Sequence, residues 1–129
     1  IGSCSVGPEE INYGHAACHF CKMTIVDNQH ASEIVSTKGK VFQYDAIECM
    51  LHDLKSKEES SIRLLLINDY VAPGELIDAT ASTFLISKKI QSPMGAFLSG
   101  FSQKRDAQKA SQLEDDQLLT WSEILNHKL

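Results

Sequence analysis

The stretch Ile62-Arg63-Leu64-Leu65-Leu66-Ile67-Asn68-Asp69 contains the longest apolar run in this chain of 129 residues. That run, residues 64–67, has the length of a strand and is far too short to cross a membrane. An apolar run without polar alternation is typical of a strand in the middle of a sheet. The sequence therefore predicts a central strand here, with other elements packed around it.

The residues before this strand predict two further strands and a helix. Residues 31–37 and 41–44 contain β-branched and aromatic side chains, and a tight turn separates them. Apolar residues then recur at helical spacing over residues 46–54. Asp45 and Glu48 stand three residues apart at the start of this helix, which predicts a capping box.

The residues after the central strand repeat this order loosely. We predict strands at residues 75–78 and 83–87, a helix at 103–112, a strand at 117–120 and a last helix capped by Ser122. Strand, strand, helix and strand in each half predict an α+β fold made of two similar ββαβ units.

This organisation predicts one folded domain behind an N-terminal tether. We expect a flexible tether over residues 1–17 and a domain over residues 18–129, with halves at about 18–70 and 71–129. The hydrophobic content of 43% and the charged content of 22% are those of a soluble globular protein. A net charge of −5 without a basic face argues against nucleic acid as a partner.

The N-terminal stretch Ile1-Gly2-Ser3-Cys4 fits the end of a bacterial lipoprotein signal. In such signals an aliphatic residue and two small residues precede the cysteine that receives the lipid. We therefore predict a lipidated Cys4, anchored to a membrane in the periplasm or on another extracytoplasmic surface. The alternative is that residues 2–3 come from cloning and that Cys4 is an incidental thiol.

The stretch Cys18-His19-Phe20-Cys21-Lys22-Met23 places two thiols and a thioether within six residues. Thiolate and thioether sulfurs are soft ligands that suit Cu(I). The β-branched residues 24–26 predict a strand, and in an extended backbone the side chains of Cys21 and Met23 point to the same face. We therefore predict a Cu(I) site that includes Cys21 and Met23, with Cys18 as a further candidate ligand.

Met94 in the turn Ser92-Pro93-Met94-Gly95 is the second candidate for a thioether ligand. A loop exposes such a side chain, although both Met23 and Met94 have core packing as their alternative interpretation. His15 and His19 flank the sulfurs and are candidates to complete the coordination. Cys49 is interpreted as a buried thiol of the predicted helix.

The pair Cys18-x-x-Cys21 leaves three interpretations open: part of a copper site, half of a zinc site, or a redox disulfide. A zinc site needs two more ligands, and the spare candidates are Cys49, His15, His30 and His52. A thioredoxin-like pair expects a helix to follow, whereas β-branched residues follow here. The sequence shows no convincing Ser/His/Asp set, phosphate loop or paired carboxylates, so we predict that the protein is not an enzyme.

Several motifs together resemble those of a known family. In chain order they are Cys18-x-x-Cys21-x-Met23 followed by Thr24-Ile25-Val26-Asp27, Gly39-Lys40-Val41-Phe42, Asp45-x-x-x-Cys49-Met50, Asp69-Tyr70, Asp78-Ala79, Ser92-Pro93-Met94-Gly95 and Trp121-Ser122-Glu123. From residue 18 to residue 125 the chain resembles the NosL family, the copper-binding accessory lipoproteins of nitrous oxide reductase assembly. Cys4 matches the lipid-bearing cysteine of that family.

The resemblance implies a monomeric Cu(I) chaperone with the paired ββαβ fold that is also seen in organomercurial lyases. It implies nitrous oxide reductase as the client and a membrane transporter complex as the docking partner. Cys21 and Met23 match the Cys-x-Met ligands of the family, and Met94 matches the methionine of its Pro-Met-Gly turn. Cys18 matches a position that does not ligate in every member, and Lys22 stands where many relatives have glycine.

Two other functions stay open at this point. One is a thiol-based enzyme, either a lyase or an oxidoreductase, on the same scaffold. The other is a structural domain that binds zinc or contains a disulfide.

Overall fold

The structure, a computed structural model, describes residues 6–129 and contains two antiparallel sheets, three short helices and two 3₁₀ turns. In chain order the strands and helices are β1 (Ser32–Ser36), β2 (Val41–Tyr44), α1 (Ile47–Leu54), β3 (Ile62–Asp69), β4 (Ala72–Asp78), β5 (Thr83–Ile86), β6 (Leu98–Phe101), α2 (Lys104–Ala110), β7 (Gln117–Thr120) and α3 (Trp121–Leu125). The predicted α+β class is confirmed.

The two sheets share one topology. The first sheet has the order β2-β1-β3-β4 and the second has the order β6-β5-β7. In each sheet the first strand in sequence lies in the middle, its hairpin partner on one side and the strand after the helix on the other. Two ββαβ-like units are present as predicted, but the second contains other strands than expected. The strand predicted at residues 75–78 belongs to β4, which pairs with β3 in the first sheet, and β6 pairs with β5 in the second.

A shared apolar core joins the two sheets and α1. Ile47 and Met50 of α1 are fully buried with Ile67 of β3, Phe84 of β5 and Leu98 of β6. The predicted central strand β3 is thus part of the core, although its cover is incomplete. Other residues of β3, with α3, line an open pocket of about 640 Å³.

The starts of two helices differ from the prediction. α1 begins after Ala46 without a side-chain cap, so the capping box predicted for Asp45 and Glu48 is wrong. Glu48 instead points its carboxyl group at a distant loop, where it accepts several hydrogen bonds. α3 is capped by Thr120 and not by Ser122, and Thr120 forms a full capping box with Glu123.

Two strand predictions also need correction. Residues 24–26 form no strand, and the only pairing there is an isolated bridge between Ala17 and Thr24. β6 was not predicted, because Ser99 and Gly100 have low strand propensity. The absence of a side chain at Gly100 matters for packing, since a Cβ there would lie 2.2 Å from the Cδ1 of Ile67.

The end of the predicted tether packs against the domain, and the prediction of a flexible segment up to residue 17 is corrected there. The Glu9 N–H donates to the Glu33 carboxylate at 2.9 Å, and Ile11 is buried in the core. The Tyr13 hydroxyl accepts a hydrogen bond from the Asn68 amide at 3.1 Å. Residues 1–5, with the predicted lipid site Cys4, lie outside the described residues.

Among residues 6–129, none of the helices combines the length and the apolar character that a bilayer span needs.

Candidate metal centre

The loop of residues 18–23 is closed on itself by backbone hydrogen bonds. The Cys18 N–H donates to the Met23 carbonyl at 2.8 Å, and the Lys22 N–H donates to the Cys18 carbonyl at 3.0 Å. Lys22 has a φ of 70°, in the left-handed region that favours glycine. The resulting turn brings the Cys21 N–H to 3.4 Å from the Cys18 Sγ. The two cysteines of the motif therefore lie side by side.

Cys49 of α1 completes a cluster of three thiols. The Sγ atoms of Cys18, Cys21 and Cys49 all lie within 4.8 Å of one another. Cys18 and Cys49 are buried, Cys21 is half-buried, and all three are free thiols. The interpretation of Cys49 as only a packing residue of the helix is therefore too narrow, since its sulfur belongs to the same group as those of the motif.

The loop is held over α1 by contacts of its other residues. The His19 N–H donates to the Gln43 carbonyl of β2 at 2.8 Å. The Phe20 ring stacks on the His52 ring of α1 with 5.7 Å between centroids. These contacts fix the motif cysteines against the turn of α1 that carries Cys49.

The three thiols differ in charge. The Cys49 thiol donates a hydrogen bond to the Cys18 sulfur, and this is the main reason why the pKa of Cys18 falls to about 4. Burial opposes the shift, but the backbone amides of Asp45, Cys21 and Phe20 also favour the Cys18 thiolate. The same hydrogen bond raises the pKa of Cys49, and burial raises the pKa of Cys21. At neutral pH the free cluster thus holds one thiolate beside two thiols.

Met94 lies in the wall of a pocket next to this cluster. The pocket has a volume of about 340 Å³, and Cys49, His52, Phe20 and Glu48 also line it. The Met94 side chain is 50% exposed, so the loop presents it to solvent as the sequence predicts. The pocket connects the buried Cys49 with an exposed thioether.

Met23 is placed differently. Its side chain is 63% exposed at the end of the closed loop. The extended backbone expected for residues 21–23 is wrong, because Lys22 between the two sulfurs has a left-handed φ. Cys21 and Met23 therefore do not lie on one face of an extended segment, and Met23 as a ligand stays a prediction that rests on the family motif.

Both loops that supply sulfur atoms contain strained backbone. Among the described residues, the non-glycine residues with positive φ are Lys22, at 70°, and Phe97, at 59°. Lys22 lies between Cys21 and Met23, and Phe97 lies three residues after Met94. Such strain costs about 1–2 kcal/mol per residue and is often found at functional sites.

The histidines near the motif do not join the thiols. The His19 ring packs edge-on against Phe42, with centroids 4.7 Å apart, and its Nε2 lies 3.9 Å from an Asp53 oxygen. His15 is exposed on the N-terminal segment. Both histidines as ligands stay predictions, and for His19 the observed contacts point away from that role.

A carboxylate, a histidine and a serine come together elsewhere, in a contact that the sequence did not predict. His30 Nδ1 lies 2.9 Å from Asp27 Oδ2, and its Nε2 lies 2.9 Å from Ser99 Oγ. Ser99 is only 1% exposed, so no substrate reaches its hydroxyl. The set links the N-terminal loop to β6 and explains no catalysis.

The pocket of about 640 Å³ that β3 and α3 line contains no cysteine, methionine or histidine. Within residues 6–129, the soft ligand atoms that lie close together are the three thiols, and the Met94 thioether lines the pocket next to them. A buried thiol cluster with an exposed thioether at its edge, on two antiparallel sheets, defines a protein suited to carry a soft metal ion.

The chain belongs to the NosL family, whose model matches residues 10–129. Among solved structures, the crystal structure of the copper chaperone NosL from Shewanella denitrificans has the same fold, with a TM-score of 0.77. The similarity covers 92% of this chain and 96% of that chain, at 19% sequence identity. No curated protein sequence matches the chain significantly. The family predicted from the motifs and its fold are thus confirmed.

Proposed function

We propose that this protein is a Cu(I) carrier that holds its cargo on Cys18, Cys21 and Cys49. The observation that carries the proposal is the cluster of three sulfurs within 4.8 Å. Thiolates are the ligands that Cu(I) prefers, and the Shewanella relative is described as a copper chaperone. Carriage and not catalysis is the activity that membership of this family supports.

The protonation states of the three cysteines in the metal-free cluster bear on how Cu(I) binds. The pKa of Cys18 is lowered to about 4, chiefly by the hydrogen bond from Cys49, so this residue offers a thiolate to the ion at neutral pH. Cys21 and Cys49 then bind as thiolates, and each loses its proton to solvent. Cys21 is the most exposed of the three, so it is the thiol that an acceptor protein reaches first.

The exposed thioether fits a site that must release its ion. Met94 at the mouth of the pocket is proposed as a further, neutral ligand, as the family motif predicts. A neutral thioether binds more weakly than a thiolate, so it is the ligand that an acceptor displaces most easily. Met23 is kept as a second candidate of this kind.

Zinc is the alternative cargo that the same thiols favour. Structural zinc needs four ligands in a tetrahedron, usually with a fourth cysteine or a histidine. Within the described chain, no histidine, aspartate or glutamate joins the cluster of three cysteines. Copper, which accepts fewer ligands, is therefore the cargo that fits better.

Anaerobic titration of the reduced protein with Cu(I), in competition with a chelator of known affinity, tests the proposal. We expect one tightly bound Cu(I) per chain and weaker binding of Zn²⁺ under the same conditions. A protein that binds Zn²⁺ in preference, or binds no Cu(I), contradicts the proposed cargo.

The proposed client is nitrous oxide reductase, with a membrane transporter complex as docking partner. The proposed location is extracytoplasmic, with a lipid anchor on Cys4. The family and its motifs support these proposals. Metabolic labelling of the full precursor with a fatty-acid analogue tests the anchor: the label is lost in C4A. Transfer of copper from the loaded protein to metal-free reductase tests the client, and a C21A/C49A variant is the negative control.

A further inference from the structure

Glu48 is a buried acidic residue next to Cys49, at the second position of α1. Its side chain is 2% exposed and lies in the wall of the pocket that Cys49 and Met94 share. No lysine, arginine or histidine forms an ion pair with it within residues 6–129. A buried acid without a cationic partner is costly, so its presence needs a reason other than stability.

The hydrogen bonds of the Glu48 side chain are all formed with the loop of residues 92–96. Its Oε2 accepts from the Ser92 hydroxyl at 2.6 Å and from the backbone amides of Met94 and Ala96 at 3.3 Å each. The Ser92 hydroxyl also accepts from the Leu98 amide at 3.3 Å, which ties the contact to β6. A single carboxyl oxygen of Glu48 thus binds residues before and after Met94 and holds their loop against α1, the helix that contains Cys49.

The second carboxyl oxygen is not used. Glu48 Oε1 is buried and has no hydrogen-bond partner within the described part of the chain. An unused acceptor of this kind is destabilising by itself. Stability alone therefore does not explain the Glu48 side chain, and the contact that it does make is the one with the 92–96 loop.

We propose that Glu48 is the positioning residue of the copper site: it fixes the 92–96 loop so that Met94 meets the ion held by Cys49. This inference rests on the proposed function and assigns a role to a residue that the motifs do not mark as a ligand. Glu48 acts through Met94 and contacts the loop backbone, so its removal frees the thioether without removing a sulfur.

A double-mutant cycle on Cu(I) affinity tests the role. We expect M94A to raise the dissociation constant for Cu(I) about tenfold, and E48A to have a similar effect. In the M94A background, E48A then adds little, because two residues that act through one contact are not additive. E48Q keeps an acceptor for the Ser92 hydroxyl and restores most of the affinity. Exposed Glu75 gives the control, and E75A leaves the affinity unchanged.

A second readout needs no metal. With the methionine methyl groups labelled for NMR, we expect the Met94 signal of metal-free E48A to move toward that of a free side chain, while E75A leaves it in place. S92A removes the 2.6 Å hydrogen bond without touching Glu48 and gives a partial shift, so the test does not depend on E48A folding.

Either of two results overturns the inference. The first is that E48A weakens Cu(I) binding as much in the M94A background as in the wild type. The second is that the Met94 signal is unchanged in both metal-free E48A and metal-free S92A. Failure of the proposed function looks different. In that case the wild-type protein binds no Cu(I), while the Met94 signal of the metal-free variants still decides whether Glu48 positions the loop.

Discussion

The first ββαβ unit, β1 to β3, and the second, β5 to β7, share a strand order, but within residues 6–129 only the helix of the first contains a cysteine of the three-thiol cluster. In α1 the first five residues are buried, and the third is Cys49. In α2 only Ala107 is buried, and the third residue is the half-buried Asp106. The repeated topology supplies the scaffold, and the burial of the helix decides which copy can hold a thiol.

Elements of both units surround α1. α1 lies against the first sheet and β6, and the loop of residues 18–23 contacts it where Phe20 stacks on His52. The second unit contributes to the site through one loop, residues 92–96. The site therefore depends on packing between the units, and not on either unit alone.

The largest effect is expected from removing the buried thiol of the first unit. C49A should weaken Cu(I) binding by about two orders of magnitude or more, because even residues that only support a metal ligand contribute 10–100-fold. Competition with a Cu(I) chelator measures the change. D106A, at the equivalent position of α2, is the matched control and leaves affinity unchanged. Equal affinity of C49A and the wild type contradicts the three-thiol site.

Packing between the units can be tested at Gly100. A Cβ in G100A lies 2.2 Å from Ile67 Cδ1 and 3.4 Å from Ile47 Cδ1, so the side chains of the shared core must shift. We expect a loss of about 1–3 kcal/mol in the free energy of unfolding, measured with denaturant. G7A, where a Cβ meets nothing within 4 Å, changes stability by less than about 0.5 kcal/mol. Equal values for the two variants contradict a tight contact between units.

The hydrogen bond between Cys49 and Cys18 predicts a pH dependence. Because the pKa of Cys18 is lowered to about 4, its thiolate persists as the pH falls and is lost only near that value. Metal-free C49A lacks the main donor, so the midpoint of the thiolate absorbance moves to higher pH. C21A moves it less, because the backbone amide of residue 21 still donates to the sulfur. An unshifted midpoint in C49A excludes this cause of the Cys18 pKa.

The smallest effect concerns the strain in the loop of the first unit. K22G should stabilise the metal-free protein by about 0.5–1 kcal/mol, because glycine adopts a φ of 70° without the cost that lysine has. K22A keeps that cost and gives no gain. Thermal unfolding of the three proteins compares them. A K22A protein as stable as K22G shows that the backbone at this position is not strained.

The bounds of secondary structure were predicted best for elements with a clear apolar pattern of their own. β2 and β3 begin and end where their apolar patterns predict, and α1 differs from its prediction by one residue at the start. β6 was missed because its residues are small and polar, and its strand pairing is set by contacts that are distant in sequence. The cap predicted for α1 failed for a related reason, because Glu48 binds a loop more than forty residues away.

The site could be predicted only in part. Cys18 and Cys21 could be predicted as candidate ligands from their close spacing, and Met94 from its position in a Pro-Met-Gly turn. Cys49 was available as an unpaired third cysteine, but nothing in a single sequence states that α1 packs under the 18–23 loop. The left-handed backbone at Lys22 was marked only by the family preference for glycine there. The packing of segments that are distant in sequence, such as α1 and the 18–23 loop, could not be predicted.

X-ray absorption of the Cu(I)-loaded, reduced protein tests the central claim most directly. The account predicts that all nearest neighbours of copper are sulfur atoms and that C49A has one sulfur fewer. A spectrum dominated by nitrogen or oxygen neighbours, or the same number of sulfur atoms in C49A and the wild type, contradicts a site built from Cys18, Cys21 and Cys49.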